Sequence, residues 1–186
     1  MSKGKTFEVE REIKSIVFVD TNVIVCPEAV DKLRKGGNLL CISLTSIKEL
    51  DKLKCHRKIS LAVRETIRKI DSLLSVNDPN LLIIRQMNFE GLDLDKKNPD
   101  HKIIASLNYV LHQFRLKLEP FKSYEKIKML SNDNLFRILA RGIDNENKII
   151  VEPYLTNIRA LNNDNSSKKK SHRSFYRREH LKIANQ

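Results

Sequence analysis

The chain has 186 residues, of which 40% are hydrophobic, enough for one α/β domain with a buried core. It carries 35 lysines and arginines against 23 acids, so its net charge of +12 favours a polyanionic partner. Its three cysteines form no CxxC pair, which argues against a disulfide framework and favours a reducing, cytoplasmic location. No apolar run approaches the roughly 18 residues of a membrane helix, and the N-terminus lacks the apolar core of a secretion signal.

Short apolar runs alternate with helical patterns along the chain. Five runs predict buried strands because they are short and lack polar alternation. They lie at residues 13–19, 39–43, 81–84, 127–130 and 149–151. Apolar residues at helical spacing predict helices at 27–35, from 45 or 46 to 53, at 59–74, at 100–116 and at about 135–142. This alternation predicts a three-layer α/β/α fold with a central parallel sheet of about five strands.

Composition divides the chain into a lead-in at residues 1–12, a domain at 13–161 and a basic, flexible C-terminal tail at 162–186. Residues 168–186 hold seven lysines and arginines against one acid, and are therefore net +6. The cations would neutralise RNA phosphates, while the aromatic side chains would stack on unpaired bases. The candidate RNA contacts in the tail are Lys168, Lys169, Lys170, Arg173, Phe175, Tyr176, Arg177 and Arg178. A solubilising tail, or a hydrophobic pair docked on the domain, explains the same composition equally well.

Two predicted strands stop abruptly at polar residues. The first ends at Asp20-Thr21-Asn22 and the fourth at Ser131-Asn132-Asp133. Two further acids, Glu49 and Asp100, stand near the starts of the helices that follow the second and third strands. Because the carboxyl ends of parallel strands share one edge of a sheet, we expect these four acids to converge there.

Four close carboxylates repel one another and take up protons unless a cation compensates them. Mg²⁺ and Mn²⁺ prefer oxygen ligands and would compensate the negative charge of the carboxylates. Sites of this kind hydrolyse phosphate esters with metal-activated water. Each acid also has an ordinary explanation. Glu49 could complete a capping box with Ser46. Asp100 could be a first-turn acid that interacts favourably with the helix dipole, and Asp133 could be the N-cap of the next helix. Asp20 is the hardest to explain in this way, since a short buried strand rarely ends in an unpaired acid.

Five segments carry motifs whose order and spacing are together more specific than any single one. They are Ile16–Asn22, Leu44–Lys54, Ala62–Arg68, Asp100–Ala105 and Leu130–Ala140, the last followed by Gly142-Ile143. In this order they resemble the PIN domain family, in its PhoH-type branch, over roughly residues 13–155.

The resemblance implies a metal-dependent, single-strand-specific endoribonuclease in which four acids surround Mg²⁺ or Mn²⁺. It carries over to Asp20, Glu49, Asp100 and Asp133 as the catalytic and metal-binding acids, with Thr21, Asn22 and Ser131 in support. Single-stranded RNA is the expected partner, and a homodimer is left open. Basic residues within the domain that could hold flanking phosphates are Arg57, Lys58, Arg64 and Arg137.

Other functions remain open from the sequence. A catalytically silent PIN-like module that binds RNA or serves as an adaptor would share the fold, although the four acids are complete. A toxin-type ribonuclease with one narrow target is a second alternative. Structure-specific cleavage of DNA is a third, because phosphodiester geometry alone does not select the sugar.

Overall fold

The computed structural model describes residues 14–144 and 146–154. Five strands in this part of the chain form one sheet: β1 (Ser15–Val19), β2 (Leu39–Ser43), β3 (Leu81–Ile84), β4 (Lys126–Leu130) and β5 (Ile149–Glu152). Their spatial order is β3-β2-β1-β4-β5, and every neighbouring pair is parallel. The predicted parallel five-stranded sheet is therefore confirmed, with β1 at its centre.

Helices connect consecutive strands, as parallel pairing requires. They are α1 (Thr21–Ile24), α2 (Pro27–Arg34), α3 (Leu44–Leu53), α4 (Ser60–Ser75), α5 (Pro99–Arg115) and α6 (Asn134–Gly142), with short 3₁₀ turns at Lys35–Gly37 and Phe121–Ser123. The chain leaves α2 through Gly36 and Gly37, whose φ angles of 69° and 73° lie in the left-handed region that glycine adopts without steric cost.

Alternating side chains of the strands form two separate apolar layers, one on each face of the sheet. Ile16 and Phe18 of β1 pack into the layer covered by α5 and α6. Val17 and Val19 pack into the opposite layer, covered by α1 to α4. On α5, Ile103, Ile104, Leu107, Val110 and Leu111 are fully buried, while Phe114 is partly buried against the same layer. The predicted three-layer α/β/α class is thus confirmed.

Local details differ from the predictions for identifiable reasons. The third helix begins at Leu44, earlier than predicted, because Ser43 Oγ accepts the backbone N–H of Ser46 at 2.9 Å and serves as the N-cap. The one-turn helix α1 was not predicted, since four residues are too few for a periodic pattern. Leu74, the last residue of the apolar stripe predicted for α4, is 43% exposed.

Several predictions fall on residues outside the described ranges. These are the lead-in at 1–12, the start of the first strand at Ile13, the domain boundary at 161 and the whole basic tail. Within residues 14–144 and 146–154, no helix is both long enough and apolar enough to cross a membrane. Cys26, Cys41 and Cys55 are free thiols.

Candidate active site

A cleft of about 440 Å³ opens at the C-terminal edge of the sheet, where β1 and β4 end. Its lining residues come from α1 and the residues around it, from α3, and from the starts of α5 and α6. They are Asp20, Thr21, Asn22, Val25, Glu49, Lys52, Leu53, Asp100 and Asp133. The structure thus brings the four acids singled out in the sequence to one cleft, together with two of the three supporting residues.

Asp20 is the most enclosed of these acids, with only 6% of its surface exposed. Its backbone N–H donates to Leu130 O at 3.1 Å, which fixes the end of β1 against β4. Its carboxylate accepts three hydrogen bonds, from Thr21 N at 2.6 Å, Asn22 Nδ2 at 2.5 Å and Ser131 Oγ at 2.8 Å. Three donors hold this carboxylate in one orientation before any ligand arrives.

Burial raises the pKa of Asp20 from 3.8 to about 6, since an ion is poorly solvated there. The hydrogen bonds from Ser131 and from the Thr21 backbone lower this pKa and offset part of the effect. The negative charges of Glu49 and Asp100 raise it further. Ionisation of Asp20 therefore costs free energy in the folded protein, and a cation bound in the cleft would offset that cost.

Glu49 reaches the cleft from α3 and joins Asp20 through a shared neighbour. Thr21 Oγ1 donates to Glu49 Oε2 at 2.5 Å, while the backbone N–H of Thr21 donates to Asp20. The capping-box explanation of Glu49 is wrong, because Ser43 caps α3 and the carboxylate of Glu49 binds the threonine hydroxyl. Thr21 thus couples two acids that lie on separate elements.

Ser131 and Asn22 join the ends of β1 and β4. Ser131 Oγ donates to Asp20 and accepts the backbone N–H of Asp133 at 3.0 Å. Asn22 Oδ1 accepts the backbone N–H of Asn132 at 3.0 Å, and its amide donates to Asp20. Both supporting residues therefore position the acids through hydrogen bonds with defined partners.

Asp133 caps a helix and also lines the cleft. One of its oxygens accepts the backbone N–H groups of Leu135 at 2.7 Å and Phe136 at 3.2 Å, so it is the N-cap of α6. The same residue lines the cleft. An N-cap commits one carboxylate oxygen and leaves the other available to a ligand.

Asp100 stands in the first turn of α5, and its side chain is exposed. The helix is capped by Asn98, whose side-chain oxygen accepts Asp100 N at 2.9 Å. His101 accepts the backbone N–H of Asp95 at 2.8 Å through Nδ1 and so anchors the segment that leads to Asp100. The position of Asp100 is therefore set by its own helix start and by a tether on the preceding loop.

The donor set of the cleft fits a hard divalent cation, because it consists of carboxylate and hydroxyl oxygens. None of the four acids makes an ion pair with a described basic side chain, so their charges are left for a ligand to balance. Within the described residues, however, no three acidic, histidine or cysteine side chains are gathered closely enough to hold one ion. Binding would require the exposed carboxylates of Asp100 and Asp133 to close on the cleft.

Of the basic residues predicted to contact RNA, the four that lie in the described part of the chain are absent from the cleft lining. Arg57, Lys58 and Arg64 are exposed, and no side-chain partner is described for them. Arg137 donates to Ser131 O at 3.0 Å and to Asn134 Oδ1, so its guanidinium holds the turn between β4 and α6. The eight tail candidates, from Lys168 to Arg178, lie outside the described residues.

Sequence reasoning missed three lining residues, Val25, Lys52 and Leu53. A signal was present for two of them, since Lys52 and Leu53 follow Glu49 by three and four positions on α3 and so share its helix face. Val25 carried no such signal, because its position depends on the unpredicted helix α1.

Comparison with known proteins gives one clear result. The family described as PIN domain matches residues 17–150 of this chain. A search of curated proteins found no match. The matched segment is well over half of the chain and includes all four acids of the cleft. The chain therefore belongs to the PIN domain family, whose members are generally metal-dependent nucleases.

Proposed function

We propose that this protein is an endoribonuclease that cleaves single-stranded RNA with the help of Mg²⁺ or Mn²⁺. The observation that carries the proposal is the convergence of Asp20, Glu49, Asp100 and Asp133 on one cleft. Family membership supports a nuclease at the coarse level. The choice of RNA as substrate is part of the proposal. It is supported by the net charge of +12 and by the motif resemblance to the PhoH-type branch.

The four acids would hold the divalent ion. Asp20 and Glu49 are already oriented, because Thr21 donates to both of them. Asp100 and Asp133 would complete the ligand set from the starts of α5 and α6. When bound, a divalent ion of this kind lowers the pKa of a water and neutralises charge on a phosphodiester.

The hydroxyl groups beside the acids are committed to structural hydrogen bonds. The hydroxyl proton of Thr21 is donated to Glu49, and that of Ser131 to Asp20. Among the described residues, neither hydroxyl is hydrogen-bonded to a histidine or lysine, the bases that commonly activate a hydroxyl nucleophile. Hydrolysis by water, without a covalent link between enzyme and substrate, is therefore the reaction that these residues support best.

The remaining features fit an RNA-binding enzyme of the cytoplasm. The free thiols of Cys26, Cys41 and Cys55 suit a reducing compartment. Exposed Arg57, Lys58 and Arg64, together with the basic tail, would hold phosphates that flank the cleaved bond.

Cleavage of labelled single-stranded RNA and DNA in Mn²⁺, in Mg²⁺ and in EDTA tests the proposal. We expect internal cleavage of RNA that needs a metal, and little cleavage of DNA. The Asp20→Asn variant controls for contaminating nucleases and should be inactive. RNA that survives intact in every condition would favour the silent RNA-binding alternative, and cleavage that persists in EDTA would reject metal dependence.

A further inference from the structure

Lys52 is the one basic side chain in the lining of the cleft, as far as the chain is described. It stands one turn after Glu49 on the same face of α3, beside Leu53. Its ammonium has no acidic partner among the described residues and is exposed to solvent. By contrast, the neighbouring Lys54 forms an ion pair with Asp51 and does not line the cleft.

The cleft therefore has two chemically different walls. The carboxylates attract a cation, while Lys52 offers a positive charge that none of the four carboxylates neutralises by direct contact. A lysine ammonium is a compact charge that binds phosphate oxygens. An uncompensated lysine beside an acidic nuclease cleft weakens the repulsion between the cleft and an anionic backbone.

The neutral polar groups of the cleft leave little means of reading a base. Thr21 Oγ1 is committed to Glu49, and Asn22 uses its amide for Asp20 and its carbonyl for Asn132 N. The other uncharged lining residues are Val25 and Leu53, which are apolar. Hydrogen bonds to base edges are the main means of base discrimination, and the valine and leucine side chains have no donor or acceptor with which to form them.

We propose that Lys52 binds a backbone phosphate of the RNA in the cleft, while Val25 and Leu53 form an apolar wall that accepts any of the four bases. This inference rests on the proposed function and assigns its substrate subsite. Lys52 anchors the strand through its phosphate backbone, so that binding and cleavage do not depend on the base sequence.

The test compares Lys52→Ala with Lys54→Ala, which also removes one positive charge, but from the C-cap of the same helix and from an ion pair outside the cleft. Affinity for a short labelled oligouridylate is measured by fluorescence anisotropy in Ca²⁺, over a range of salt concentrations. Loss of one phosphate contact should lower the slope of log affinity against log salt by about 0.7 in Lys52→Ala only. We also expect KM under Mn²⁺ to rise about tenfold in Lys52→Ala, with kcat within about threefold of native, and Lys52→Arg to restore most of the affinity.

Equal effects of Lys52→Ala and Lys54→Ala would overturn the proposal, since they would indicate general charge attraction and no contact at the cleft. An unchanged slope in Lys52→Ala would overturn it as well. Turnover of oligouridylate, oligoadenylate and oligocytidylate should agree within about tenfold, and a preference above about hundredfold would refute the base-neutral wall. Failure of the nuclease proposal is recognised separately, because the native chain would then cleave nothing while the anisotropy slopes still decide the role of Lys52.

Discussion

Replacing Asp20 by asparagine should stabilise the metal-free protein at neutral pH while it abolishes cleavage. The pKa of Asp20 is raised from 3.8 to about 6, which corresponds to a cost of about 3 kcal/mol for keeping the charged form in the folded state. Asparagine removes this charge and keeps a side-chain oxygen for Thr21 N. Its amide, however, faces Asn22 Nδ2 and Ser131 Oγ, so one or two hydrogen bonds are lost at about 1 kcal/mol each. The expected net gain is about 1–2 kcal/mol.

The sign of the pH dependence follows from the direction of the shift. The folded-state pKa of Asp20 lies above the unfolded value of 3.8. Below pH 3.8 the side chain is protonated in both states, so it does not lower the free energy of unfolding. The cost grows as pH rises toward about 6 and is constant above it. The advantage of Asp20→Asn should therefore be full at neutral pH and mostly absent at about pH 4.5.

Urea denaturation in EDTA at both pH values measures this difference, with Asp71→Asn on the exposed face of α4 as a control that should change little. Adding Mn²⁺ should reverse the order, since the native protein gains free energy from binding and the variant gains less. If Asp20→Asn is destabilised equally at both pH values in EDTA, the carboxylate carries no desolvation cost and the electrostatic reasoning fails.

Three further predictions test separate parts of the site. Ser131→Ala removes one hydrogen bond to Asp20 and should lower Mn²⁺ affinity or turnover by about 10- to 100-fold, measured by titration of metal against cleavage rate; an unchanged rate would mean that Asp20 needs no such support. Arg137→Ala frees Ser131 O and should lower the free energy of unfolding by about 1 kcal/mol with no change in the salt slope of RNA binding; a flatter slope would instead assign Arg137 to RNA contact. Deleting residues 168–186 should weaken RNA binding and flatten its salt dependence while turnover at saturation stays near native, whereas Phe175→Ala with Tyr176→Ala should weaken binding at an unchanged slope.

The convergence of the acids was predictable because it follows from topology. Once the strands are recognised as parallel, a residue that ends β1 and one that follows β4 must lie at the same edge, whatever their separation in sequence. The same reasoning places the starts of α3 and α5 there. The sheet order itself was not predicted, since the strand runs show which segments are buried but not which of them are neighbours.

The role of Glu49 could not be decided from the sequence, because two geometries compete for the same residues. A capping box would have required the helix to begin near Ser46. The observed helix begins at Leu44, since the side chain of the buried Ser43 accepts the free backbone N–H of Ser46. Which serine caps the helix depends on where β2 ends in the sheet, and that is a tertiary constraint. The contact of Thr21 with Glu49 spans 28 positions and is equally invisible to local patterns.

The site divides its carboxylates between a fixed pair and an adaptable pair. Asp20 and Glu49 are held by hydrogen bonds that originate in the threonine, asparagine and serine at the strand ends. Asp100 and Asp133 are exposed residues at helix starts, and an incoming ion would have to draw them inward. The desolvation of the buried acid is therefore a cost to the free energy of folding. The ordering of the two exposed acids is instead a cost to the free energy of metal binding. For this reason, substitution of Asp100 or Asp133 should weaken metal binding without the gain in metal-free stability expected for Asp20→Asn.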